Sequence, residues 1–69
     1  MKRSDITDEQ VIAACRIAHS DNHTTSLIQL ISMTGAIQKV ALAAMERASD
    51  RGLIDYGVNI AHAWVVADT

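Results

Sequence analysis

Apolar residues recur in this chain with two rhythms, and the changeover between them divides it. Across residues 11–48 they return every three or four positions, as on a helix face; across residues 54–66 they return every second position, as along a strand. The helical stretch is interrupted twice, by the polar run Ser20-Asp21-Asn22-His23-Thr24-Thr25 and by Thr34-Gly35. The pattern therefore predicts an α+β fold, mostly α, with three helices followed by a C-terminal β-hairpin.

The first helix has a complete start signal. Thr7 can cap it, Gln10 can close a capping box and Ile6 can staple onto Val11, so the helix begins at Thr7 or Asp8 and ends near His19. Asp8 and Glu9 sit at the favoured positive end of its dipole, and Val11, Ile12, Cys15, Ile17 and Ala18 supply its apolar positions. Ser26 with Gln29 offers a second capping box, and Leu27, Ile28, Leu30, Ile31 and Met33 make a short, largely buried second helix. In the third, Ile37, Val40, Ala41, Ala44, Met45 and Ala48 share the core face, with Gln38, Lys39, Leu42, Ala43, Glu46, Arg47 and Asp50 opposite. Gly52 stops it, after a last turn carrying Arg47 and Arg51 near the negative end of the dipole.

Ile54, Tyr56, Val58 and Ile60, then His62, Trp64 and Val66, alternate as the two strands of a hairpin whose turn falls within residues 57–61. Trp64, the largest apolar group, is expected to share one core with Met45.

Composition narrows this further. At 69 residues the chain reads as one domain, 1–69, of a size that buries only about 60% of its unfolded surface. With one Trp, one Tyr and no Phe, the core must be aliphatic and Met-filled. A single Cys cannot form an internal disulfide, no apolar run approaches the roughly 20 residues of a membrane span, and the first residues lack an apolar leader segment. A cytoplasmic protein away from membranes is the expectation. Six Lys and Arg stand against eight Asp and Glu, a formal charge of −2, which weighs against binding driven by phosphate neutralisation alone.

Residues 26–66 resemble the winged helix-turn-helix regulators of the MarR and GntR kind, whose recognition helix commonly ends in an arginine or acidic residue followed by Gly-Leu-Ile and a strand. Here that ending is Arg51-Gly52-Leu53-Ile54. Minimal versions of this kind are associated with phages and prophages. The resemblance implies a small transcriptional regulator that inserts the third helix into the major groove of double-stranded DNA, as a homodimer with two recognition helices one helical turn apart. Carried over position by position, it implies contacts from Gln38, Lys39, Leu42 and Ala43, with Glu46 and Arg47 one turn further on. Gln38 could meet the N6 and N7 edge of adenine, Lys39 phosphate or guanine, and Arg47 the backbone. Lys2 and Arg3 read either as a basic arm on DNA or as a solvated terminus. Leu42 and Ala43 suit a thymine methyl or a subunit contact equally well.

The alternative is a winged-helix module that docks a protein partner through the Leu42 face or a hairpin edge without reading DNA. The net charge and the absence of Lys and Arg from residues 55–68 favour it.

Other chemistry is sparse. Cys15, His19 and His23 are spaced four apart and could offer three soft ligands to zinc, but structural zinc usually takes four, and a buried Cys with two surface histidines is the simpler reading. Tyr56 and Trp64 could stack single-stranded bases, yet the basic neighbours such a platform needs are missing. A chain of this size cannot enclose a water-excluding pocket and keep a core, so no catalytic residue, metal or cofactor is expected.

Overall fold

Local signals around Ile6 and Thr7 fix where the first helix begins. In the computed structural model, which describes residues 2–20 and 24–66, Thr7 Oγ1 accepts the Gln10 N–H at 3.1 Å and Gln10 Oε1 accepts the Thr7 N–H at 2.9 Å. This is the reciprocal capping box expected from the sequence. Helix α1 runs Asp8–Ser20, and Ile6 and Val11, on either side of the cap, are both fully buried in one cluster.

Helix α2 spans Ser26–Thr34, and its cap corrects the expected one by one residue: Thr25, not Ser26, accepts from the Ile28 N–H, at 3.2 Å. Ser26 is otherwise engaged, because its buried hydroxyl donates to the Ala63 carbonyl at 2.5 Å and so ties α2 to the hairpin. The helix ends on Gly35, at φ 72°, whose N–H returns to the Ile31 carbonyl at 2.8 Å. Helix α3 covers Gln38–Asp50. At its end Gly52, at φ 73°, donates to Ser49 and Leu53 donates to Ala48, the paired bonds of a Schellman stop.

The core gathers Leu30 from α2, Cys15 and Ala14 from α1, and Ala41, Ala44, Met45 and Ala48 from α3. Small alanines let α3 approach its neighbours closely, while Met45, Leu30 and Ile54 fill the remaining volume. Among the described residues no single helix is long and apolar enough to cross a membrane.

Strands β1 (Ile54–Asp55) and β2 (Trp64–Val65) pair antiparallel, with Ile54 opposite Val65 and Asp55 opposite Trp64. The layout is a winged helix: three helices, then a C-terminal hairpin. Two details of the hairpin depart from the alternation. Its strands are short because Asp55 Oδ1 takes the Tyr56 N–H at 2.8 Å and Asn59 caps a 3₁₀ turn at Ile60–His62, local bonds that replace ladder bonds. The observed register sends Ile54 inward, where it is 2% exposed, and turns Trp64 outward, where it is 43% exposed. Met45 is buried as expected; Trp64 does not join it in the core.

Candidate nucleic-acid interface

Between α2 and α3 the chain turns through 116° across Gly35, Ala36 and Ile37. Helices at about 90–120° joined by a short turn that contains glycine are the geometry of a helix-turn-helix. Local chemistry explains the corner. Gly35 takes the left-handed conformation that releases α2, the Thr34 hydroxyl accepts the Ala36 N–H at 3.2 Å, and Ala36 is buried against the core. Ile37 then stays extended, at φ −73° and ψ 158°, before α3 begins.

That turn places three consecutive side chains in solvent at the start of α3: Ile37, 67% exposed, and the exposed Gln38 and Lys39. Ile37 was expected on the core face; as the N-cap residue it precedes the helix, so the helical period does not apply to it. Gly35, two residues earlier, is the signal that could have exposed this, since a glycine that ends one helix leaves too little chain for the next to begin before residue 38.

The remaining candidates are dispersed. Leu42 is half-buried and packs against the core, and Ala43 is half-buried beside it. Glu46 and Asp50 are exposed further along α3, so the helix carries its one exposed cation near the N-terminal end and its acids toward the other. At about 1.5 Å per residue, Lys39 and Glu46 lie roughly 10 Å apart along the axis. Lys2 is exposed, whereas the Arg3 side chain and His23 lie outside the described parts of the chain.

Arg47 faces inward toward α1. Its Nε donates to Asp8 Oδ1 at 3.1 Å, a second guanidinium nitrogen bonds the Ile6 carbonyl, and its side chain is only 18% exposed. Arg51 bonds the other oxygen of Asp8. Burial alone would raise the Asp8 carboxyl, but hydrogen bonds from Arg51 and Arg47, with their charges, outweigh it and hold the group below its ordinary range. Asp8 was read from the sequence only as a dipole-favoured residue; its partners lie about forty residues away, beyond the reach of local pattern.

The hairpin contributes apolar surface and no Lys or Arg. Tyr56, Trp64 and Val66 are partly exposed and Val58 fully so, and no Lys or Arg follows Arg51 in the sequence. An open cleft of about 330 Å³ separates α1 from β2, lined by Arg16, His19, Trp64 and Val65, with Cys15 at its floor. Burial pushes the Cys15 thiol up, against a weaker opposing effect of its hydrogen bond with Ser26. Among the described residues no three His, Cys, Asp or Glu side chains converge on a metal position.

Compared with protein-family models, with curated proteins and with solved structures, the chain gives no match.

Proposed function

We propose that this protein binds double-stranded DNA, entering the major groove with the N-terminal end of α3, and acts as a small transcriptional regulator of the minimal phage or prophage type. One observation carries the reading: the 116° corner at Gly35–Ala36–Ile37 leaves Ile37, Gln38 and Lys39 exposed at the tip of the second helix of the pair. The first residues of that helix are the ones a helix-turn-helix presents to base edges. Gln38 bonds an adenine edge and Lys39 a phosphate, while Glu46 and Asp50, about 10 Å or more from Lys39, stay clear of the backbone if the helix enters tip first.

Arg47 is committed to Asp8 and Ile6 and takes no part in this contact set. With few cations engaged, a lone domain binds weakly, so the reading includes a homodimer whose two tips span one helical turn.

A second reading, docking to a protein, draws on a different surface: the exposed Tyr56, Val58, Trp64 and Val66 of a hairpin that carries no Lys or Arg. Anisotropy of labelled mixed-sequence duplex across a salt series separates the two. DNA reading gives a measurable salt slope that Lys39→Ala lowers by about one unit, at unchanged stability. No binding at low salt overturns it.

A further inference from the structure

We propose that Ile37 reads the 5-methyl group of thymine, so that the tip of α3 recognises A·T base pairs in the major groove. The inference rests on the DNA-reading role proposed above and names the base pairs that role selects.

Ile37 holds the N-cap of α3, a position where a Ser, Thr, Asp or Asn side chain ordinarily accepts a backbone N–H of the first turn. It makes no such bond, and two thirds of its surface is in water, at 67%. The cap bond is forgone, and Ile37 lies outside the core cluster and outside its partly buried margin, so the side chain contributes little to the fold. Exposed hydrophobes are ordinary on any protein, and Ile28 and Val58 are exposed here as well. Position decides here: Ile37 stands at the helix-turn-helix corner, next in sequence to the exposed Gln38 and Lys39.

The chemistry of the groove fits that pair of neighbours. Thymine alone among the bases carries an apolar group on its major-groove edge, and its partner adenine presents the N7 acceptor and N6 donor that a glutamine amide meets with two bonds. Ile37 and Gln38 therefore match the two halves of one A·T pair, or of adjacent ones. The other apolar candidates on α3 are less available, since Leu42 packs against the core and Ala43 offers one half-buried methyl.

The test compares an alternating dA·dT duplex with the same duplex carrying deoxyuridine in place of thymidine, so that only the methyl differs. By fluorescence anisotropy at fixed salt, the protein should prefer the thymidine duplex by about fourfold per methyl contacted. Ile37→Ala should bind both duplexes equally while its thermal melt stays within about 4 °C of the parent, as for an exposed position in a domain of this size. Equal binding of the two duplexes by the parent protein overturns methyl reading and leaves DNA reading standing. A preference that survives in Ile37→Ala overturns the assignment to this residue. Binding to neither duplex overturns the DNA-reading role itself.

Discussion

The two ends of α3 are built on opposite terms. Its C-terminal end is closed: Gly52 completes a Schellman stop, and Arg47 and Arg51 both grip Asp8 of α1, with Arg47 also bound to the Ile6 carbonyl. Its N-terminal end is open, with Ile37 making no side-chain cap bond and Gln38 and Lys39 in solvent. A helix anchored at one end and bare at the other holds its tip in a fixed orientation without using the tip's own side chains to do so. That division of labour is what a surface for recognition requires.

The anchored end should be where substitution costs most. Arg47→Ala removes the guanidinium that satisfies both Asp8 and Ile6, and is expected to destabilise by about 2 kcal/mol, because hydrogen bonds to charged groups are the stronger kind. Urea unfolding measures it; a loss under about 0.5 kcal/mol would mean that the clamp is ornamental. Acid probes the same contact. The Asp8 carboxyl is lowered in the folded state, so its contribution is complete above its unfolded value of about 4 and is lost as pH falls through the lower folded value. Melts between pH 5 and 2 should show Asp8→Asn losing less stability on acidification than the parent.

The hairpin resembles the open end, and this sets the next effect down. Trp64, 43% exposed, should cost about 1–2 kcal/mol on replacement by Ala, below the roughly 3–5 kcal/mol of a fully buried tryptophan. As the only Trp, it reports its own surroundings: its emission should be red-shifted and quenched by iodide. A blue, unquenchable emission would place it in the core and undo the observed register.

Why the sequence predicted some of this and not the rest follows from how far each determinant reaches. The Thr7–Gln10 box, the Gly35 and Gly52 stops and the stripe of Ala41, Ala44, Met45 and Ala48 are set by residues within a turn or two of each other, and all were legible. Trp64 was misplaced because strand parity says only that neighbours alternate; which neighbour faces inward depends on the pairing of Ile54 with Val65, set across the loop by the 3₁₀ turn at Ile60–His62. Arg47 was misplaced for a similar reason. A cation on the outer arc of a helix looks available until a distant carboxylate is found against it, and the Asp8 contact lies 39 positions away. At the candidate interface Gln38 and Lys39 were legible and Ile37 was not, since periodicity was extended one residue past the point where the helix begins.

Gly52→Ala tests the closed end more gently. A Cβ there meets no atom within 4 Å, so the cost is purely that of holding a non-glycine residue at φ 73°, about 1 kcal/mol. A neutral outcome in thermal melts would show that the helix can terminate without the left-handed residue.

The smallest effect has the opposite sign and bears most directly on the difference between the two ends. Ile37 already has the extended backbone of an N-cap, so Ile37→Ser supplies the missing acceptor for an N–H of the first turn without altering the chain path. Stability should rise by about 0.5–1 kcal/mol, seen as a higher denaturant midpoint at unchanged slope. DNA affinity should fall in the same variant, because the apolar contact is gone. A gain in stability joined to a loss of binding identifies the bare tip as a sacrifice of stability for recognition. A gain in stability with binding intact would mean that the open end of α3 is simply unoptimised, and that recognition lies elsewhere on the molecule.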